Sequence, residues 1–324
     1  MVCLFTAIAA SMLTTFLVLL VTLILSDGDF LLMFMTKFGK RPDSLAGKVV
    51  WITGASSGIG EHIAYCLAKA GCRLVLSARR AEELEKVKQK CLQFGKGKVS
   101  EDDILVLPLD IVAFDTHKAA VQKVLEAFGQ IDVLINNAGR GQQAVWLDVE
   151  LSVDRQMFEI NVLGPVSLTH QVLPHMIQRR GGHIVVVSSA AGKIGPPHFR
   201  SYAGSKHALH GYFGCLQTEL DPYNIDVTMV CPGPVVSNIS LVSMTGKPGE
   251  LVNKQFKTSH MRMATGRCAY LICVAIANRL YEAWISRHPS LLILYLNQYF
   301  PDLTKWILKK AGKVVVLKIR THQD

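Results

Sequence analysis

The sequence predicts an α/β fold: a doubly wound parallel sheet with helices on both faces. Three observations carry it. From Gly47 onward, short apolar runs alternate with amphipathic stretches in a repeated strand–helix order. The strand runs are near-continuous Val, Ile and Leu, as expected where helices cover both faces of a sheet. The first of them leads directly into a loop with glycine at 54, 58 and 60, the turn of a Rossmann-like βα unit.

The elements follow in order. Val49–Thr53 reads as a buried strand, and Ile59–Ala70 as a helix closed by Gly71, a residue suited to the left-handed position after a helix. Arg73–Ser77 is the second strand. Ala81–Phe94 has helical spacing, with Leu84, Val87 and Cys91 on one stripe. Ile104–Leu109 is a strand, Thr116–Phe128 a helix and Val133–Asn136 a strand. Ser152–Arg180 is a long helical stretch, strained at Gly164-Pro165 and at Pro174. Then come strand His183–Ser188, helix Tyr202–Leu220, strand Ile225–Val230, helix Ala269–Leu280 and a last strand, Tyr281–Ile285.

This gives one catalytic domain over residues 45–285, with an attachment at each end. Val2–Leu25 carries no charged side chain. As a helix it would run about 36 Å, enough for a hydrocarbon core of roughly 30 Å. Residues 1–28 are therefore expected to be a single-pass signal-anchor. A cleaved signal peptide is the alternative, since Ser26-Asp27-Gly28 offers small residues; the long run and the lack of a basic start favour retention. Lys37, Lys40 and Arg41 follow the span and none precedes it, which turns the domain toward the cytosol, with the opposite facing left open. The tail, 286–324, is apolar over Leu291–Phe300 and then basic, with Lys305, Lys309, Lys310, Lys313, Lys318 and Arg320. That pattern suits an anionic bilayer surface, and equally a homodimer contact or packing on the domain.

The formal net charge of +10 raises nucleic acid, anionic lipid and phosphorylated ligands as partners. No run of five basic residues, zinc-finger spacing or aromatic-basic RNA motif is present, so nucleic acid is not expected. The eight cysteines form no C-x-x-C pair and sit mostly in apolar segments, where a thiol behaves as a small hydrophobe. His207 and His210, or His170 and His175, lack a third ligand at zinc spacing, so no metal is expected.

The loop Thr53-Gly54-Ala55-Ser56-Ser57-Gly58-Ile59-Gly60 lets the backbone turn sharply and approach a pyrophosphate. The helix after it offers free N–H groups to phosphate. The second strand ends Ser77-Ala78-Arg79-Arg80, where a carboxylate would be expected for a ribose hydroxyl. Two guanidinium groups fit a 2′-phosphate instead, which predicts NADP(H).

Thr53–Gly60, Asn136-Asn137-Ala138-Gly139, Ser189, Tyr202-Ala203-Gly204-Ser205-Lys206 and Pro232-Gly233 together resemble the motif set of the short-chain dehydrogenase/reductase family, in order and separation, over about residues 45–285. Asp27-Gly28-Asp29, Ser77–Arg80, Val172–Met176 and Ser205–Leu209 are most similar to its membrane-anchored branch, around dehydrogenase/reductase member seven and the hydroxysteroid dehydrogenases. The resemblance implies an oxidoreductase at an endoplasmic reticulum membrane. It implies Tyr202 as the proton-transferring residue, Ser189 as the hydroxyl at the substrate carbonyl, Lys206 on the nicotinamide ribose, and Asn161 in a proton relay. It also implies cofactor contacts from Gly54, Ser56, Ser57, Gly58, Ile59, Gly60, Asp110, Asn137, Ala138, Pro232, Gly233, Val235 and Ser237. Tyr202 and Lys206 are four apart on a helix and so share a face. A nearby ammonium is expected to draw the phenol below its usual pKa of about 10.

The substrate walls are expected from Gly141–Trp146, Gly195–Phe199 and Val235–Met244. Phe199, Trp146, Val236, Ile239, Leu241 and Met244 would give an apolar pocket for a lipophilic carbonyl or alcohol of steroid or retinoid type, with His198 and Arg200 steering a polar end. A 3-keto lipid reductase and a non-catalytic membrane interaction protein on the same fold are the rival readings. The intact Ser189, Tyr202 and Lys206 set argues against the second.

Overall fold

The computed structural model describes residues 26–237, 239, 241–253 and 261–320, with positions 6, 8, 10–12, 14 and 15 of the N-terminal stretch and without the side chains of 311–320. Seven parallel strands form one sheet: β1 (Val49–Thr53), β2 (Arg73–Ser77), β3 (Ile104–Val106), β4 (Val133–Asn136), β5 (Gly182–Val187), β6 (Ile225–Pro232) and β7 (Glu282–Ile285). Their spatial order is β3-β2-β1-β4-β5-β6-β7. The order reverses between β1 and β4, so the crevice for a ligand opens beyond the carboxyl ends of these two strands.

Alternation along each strand builds two cores. Val50, Ile52, Leu74, Leu76, Val133 and Ile135 face helices Gly58–Ala70, Ala81–Phe94 and Thr265–Ala277. Val49, Trp51, Val75, Leu134, Ile184 and Val186 face helices His117–Phe128, Gly164–Arg179 and Arg200–Glu219. Gly71 ends its helix at φ +86, and its N–H returns to the Ala68 and Leu67 carbonyls.

The long stretch expected over 152–180 is interrupted just before Gly164-Pro165, one of its two expected points of strain, and not at Pro174. Helix Leu151–Phe158 passes into a π-helical turn, Glu159–Leu163, before helix Gly164–Arg179 resumes, and Pro174 lies inside that last helix. A π turn holds one more residue than an α turn, and such turns gather at functional sites. Here it contains Asn161.

The packed unit starts before residue 45. Helix Phe30–Phe38 is capped by the Asp29 carboxylate, which accepts from Leu32 N–H at 3.0 Å. Asp29 also lies along β7: its N–H donates to the Trp284 carbonyl at 2.9 Å and its Oδ2 accepts from Trp284 N–H at 2.6 Å. Asp27 holds Arg267 through two bonds of 2.8 and 2.9 Å. Leu32 is fully buried, a contribution of about 1.5–3 kcal/mol. The tail begins packed too: helix Ser290–Tyr299 buries Leu291 and Leu294, and Thr304 of helix Pro301–Arg320 is buried. Among the described residues no helix is long and apolar enough to cross a membrane. Most of the anchor expected over 1–28 falls outside the described residues.

Candidate active site

One cavity of about 1510 Å³ opens at the carboxyl ends of the central strands. It exceeds the roughly 300–1,000 Å³ of a single-ligand pocket, which leaves room for a dinucleotide and a second molecule beside it.

The glycine loop forms one end. Gly54 and Gly58 take φ of +66 and +63, which L side chains rarely adopt. A Cβ on Gly54 would lie 2.8 Å from Ala138 Cα, and one on Gly60 would overlap the Gly54 carbonyl. The Thr53 hydroxyl accepts from the N–H groups of Asn137 and Ala138 at 3.0 and 3.1 Å. The Asn137 amide donates to the carbonyls of Thr53 and Gly54 at 2.9 and 3.2 Å, so this side chain fastens the loop from behind. The Ser57 side chain leaves its helix uncapped, so N–H groups stay free for an anion at this end. The cradle fits a pyrophosphate: it depends on missing Cβ atoms and offers unspent donors.

Ser56, Ser57, Ile59, Arg79, Arg80, Asp110, Ala138, Pro232, Gly233, Val235 and Ser237 line the same cavity. The Arg80 guanidinium donates to the Ser56 hydroxyl at 3.2 Å, and Arg79 is exposed to the cavity mouth. Asp110 accepts from Val112 N–H at 3.3 Å. Gly233 N–H donates to Ile285 at 2.8 Å, which brings the loop after β6 over the site.

At the inner end, helix Arg200–Glu219 brings Tyr202, Ser205 and Lys206 to the end of β5. The Lys206 ammonium donates to the Val187 carbonyl at 2.8 Å and lies 5.8 Å from the Tyr202 ring centre. Burial draws it down to about 8. The Ser189 hydroxyl donates to the Pro232 carbonyl at 3.4 Å and accepts from Ala191 N–H at 3.1 Å, and it lowers the phenol of Tyr202 nearby. Asn161 is fully buried, bonded to the Arg140 backbone and donating to the Ser205 hydroxyl at 3.0 Å. Tyr202, Lys206, Ser189 and Asn161 are thus brought together from three separate segments.

One expectation is corrected. The Lys206 ammonium was expected to pull the Tyr202 phenol below 10. Burial instead pushes the phenol up, and the lowering influence on it is the Ser189 hydrogen bond. A phenolate in a low-dielectric pocket loses more solvation than the neighbouring lysine returns.

The substrate side is also redrawn. Phe199 meets the Tyr202 ring edge-on at 6.4 Å, and Ile194, Pro196, Ile239, Leu241 and Val242 complete an apolar wall. Trp146 does not line the cavity: it is exposed, with Arg200 stacked on it at 4.9 Å. Val236 is exposed and does not line the cavity, and Met244 is buried against Val149, Val153 and Met157. Arg200 does not steer a ligand, because it is bound to Asp154 at 2.6 Å and to the Trp146 and Val149 carbonyls. Arg140, unremarked in the sequence although it follows Asn-Asn-Ala-Gly directly, lines the cavity.

The family model described as short chain dehydrogenase matches residues 48–245. The chain is 48% identical over 310 residues to dehydrogenase/reductase SDR family member 7 of Homo sapiens, covering 95% of this chain and 91% of that one. It is 44% identical to the Mus musculus protein of that name, with the same coverage. Among solved structures it resembles an alcohol dehydrogenase of the archaeon Thermococcus sibiricus complexed with 5-hydroxy-NADP, with a TM-score of 0.64 and 25% identity over 74% of this chain and 97% of that one. It also resembles an actinorhodin polyketide ketoreductase with NADPH, with a TM-score of 0.56 and 34% identity over 59% and 72% of the two chains.

Proposed function

Because the chain belongs to the short-chain dehydrogenase family, we propose that it is an NADP(H)-dependent oxidoreductase that reduces lipophilic ketones or aldehydes, of steroid or retinoid type, to alcohols. The single observation that carries this reading is the convergence of Ser189, Tyr202 and Lys206 in one cavity, set where the apolar wall around Phe199 meets the glycine loop. NADP(H) is supported by Arg79 and Arg80 at the end of β2, and by two structural neighbours whose ligands are 5-hydroxy-NADP and NADPH.

The residues that would hold the dinucleotide are Gly54 to Gly60, Arg79, Arg80, Asp110, Asn137, Ala138 and the segment Pro232–Ser237. Bound there, it supplies the hydride for the substrate carbon. The chain's own work is orientation and a proton. The Ser189 hydroxyl donates to the substrate oxygen as negative charge grows there. Tyr202 gives that oxygen its proton. The Lys206 ammonium stabilises the phenolate left behind, and Asn161 holds the loop and the helix on which both stand. The apolar wall excludes water and favours a greasy substrate.

The same reading places the enzyme at an endoplasmic reticulum membrane through residues 1–28. Its support is a set of exposed aromatics beside that segment. Phe30, Phe34 and Phe38 share one stripe of their helix, and Tyr299, Phe300 and Trp306 stand on the tail, with Lys305, Lys309 and Lys310 nearby. Phe30 N–H donates to the Tyr295 hydroxyl at 2.9 Å, which sets the two regions side by side. Such aromatics suit a headgroup boundary.

The test is a panel of lipophilic carbonyl compounds with detergent-solubilised protein and NADPH, run with Tyr202→Phe. The variant keeps NADPH affinity and loses turnover by at least about 10²-fold. Unchanged turnover would remove Tyr202 from the chemistry and the reading with it.

A further inference from the structure

Helix Arg200–Glu219 carries His210 on the face it shares with Tyr202 and Lys206, one turn beyond the lysine. His210 Nε2 lies 3.1 Å from the Ser188 hydroxyl, and Nδ1 faces Glu282 of β7 at 3.6 Å. The Ser188 hydroxyl is also 3.3 Å from the Lys206 carbonyl. Glu282 is held in turn by the Lys193 ammonium at 2.9 Å and by the Trp284 indole N–H. Burial raises the Glu282 carboxyl, but the contacts from His210, Trp284 and Lys193 outweigh it and bring it down to about 2, so it is charged at neutral pH. That carboxylate favours a proton on Nδ1 and leaves the Nε2 lone pair for Ser188. Gly192 makes room for the meeting: a Cβ there would lie 2.5 Å from Ser188 Oγ, 3.0 Å from His210 Nε2 and 3.0 Å from the Lys206 carbonyl oxygen.

Hydroxyl, imidazole and carboxylate in this order form an activated nucleophile elsewhere. Here Ser188 is buried and its hydroxyl is turned onto the helix, so the arrangement fixes an atom and attacks none. What it fixes lies on either side of Ser188. Val187 gives its carbonyl to the Lys206 ammonium at 2.8 Å, and Ser189 carries the hydroxyl of the site. We propose that His210 is a positioning residue for the reduction: oriented by Glu282, it holds Ser188, and so the strand end that aims Ser189 and Lys206. The inference rests on the reductase reading given above. A reacting group displaced by about 1 Å can lose about 10²-fold in rate, so a small shift of this strand end is enough to show. The glycine loop takes no part in these contacts, which makes cofactor binding a separate readout.

The experiment measures kcat, with NADPH and a lipophilic carbonyl compound, in wild type, Ser188→Ala, His210→Gln, His210→Asn and the Ser188→Ala/His210→Asn double variant. NADPH affinity and the thermal midpoint are read beside it. The end of a glutamine amide reaches the place of Nε2, whereas an asparagine amide reaches only that of Nδ1. His210→Asn should therefore lose at least about tenfold in kcat and His210→Gln should recover most of it, with NADPH affinity held within about twofold in both. Ser188→Ala should match His210→Asn, and the double variant should fall no further than either, because the two act as one unit. Equal kcat in the Gln and Asn variants would overturn the proposal, and so would single losses that multiply in the double variant. If His210→Asn does not fold, Ser188→Ala, which removes one oxygen, decides alone: unchanged kcat overturns the proposal. A wild type that turns over no carbonyl compound would sink the reductase reading itself, a different outcome from any of these.

Discussion

The side-chain amide of Asn161 holds the peptide of Arg140 at both ends, with Oδ1 accepting its N–H at 2.8 Å and Nδ2 donating to its carbonyl at 3.0 Å. The second hydrogen on Nδ2 reaches the Ser205 hydroxyl at 3.0 Å, one residue before Lys206. A single buried amide thus joins the loop after β4 to the helix of Tyr202 and Lys206. The π turn over Glu159–Leu163 is what turns Asn161 inward.

Replacing that amide should therefore cost both stability and chemistry. Asn161→Ala leaves the Arg140 N–H and carbonyl without partners, a cost of about 1–3 kcal/mol per buried group. The denaturant midpoint should fall, and kcat should fall with it. A variant with wild-type stability and turnover would show that the amide bridge is dispensable.

Ser189→Ala separates the hydroxyl's two jobs. It removes a donor to the substrate oxygen, for a loss in kcat of about 10²-fold. It also removes the hydrogen bond that lowers the Tyr202 phenol, so the pKa of that phenol should rise further. Ultraviolet titration of the variant against wild type reads the second effect, and an unmoved tyrosine transition would count against the contact.

Activity should carry an alkaline limb set by Lys206. Burial holds its ammonium at about 8, against a usual 10.5. The charged form dominates below 8 and is lost as pH rises through it. In the free enzyme, kcat/KM should decline above about pH 8. A profile flat to pH 10 would mean that the ammonium is not needed or keeps its ordinary pKa.

Acid stability should depend on His183. Its ring is buried in the sheet, 2.8 Å from the Thr228 hydroxyl, and burial drives it down to about 3 from 6.5. Between those values the unfolded chain binds a proton that the folded chain refuses, so stability is full above 6.5 and is lost as pH falls toward 3. The slope is at most about 1.4 kcal/mol per pH unit. In His183→Gln, the thermal midpoint between pH 4 and 6.5 should vary less steeply than in wild type. Parallel curves would exclude His183 as the source.

The sequence exposes those parts of this fold that need particular residues. The strands from Val49 to Val230 show as apolar runs, and the turns at Gly54, Gly58 and Gly71 show because only glycine accepts their positive φ cheaply. Helix Phe30–Phe38 does not show, because it is apolar from Phe30 to Met35 and reads as more of the stretch before it. Nor does the π turn, since one extra residue leaves no period of its own. The substrate walls are misjudged at Trp146, Val236 and Met244 because loop hydrophobicity does not say which way a side chain points. The Tyr202 shift has the opposite sign to the expected one because spacing reveals a neighbouring charge but not depth of burial. Arg140 is missed because it lies one position past a motif that ends in glycine.

β7 closes the sheet, and the main-chain groups on its outer side could seed pairing with a foreign strand. Asp29 occupies that rim: its N–H takes the Trp284 carbonyl, and its carboxylate takes the Trp284 N–H in place of a backbone oxygen. The chain then turns into helix at Phe30, so this pairing cannot propagate. The turn that leads into helix Phe30–Phe38 is therefore the terminator of the sheet's last strand. A cleavage that released Asp29 would leave the nucleotide site intact and uncover a sticky border, giving a protein that still binds cofactor but self-associates.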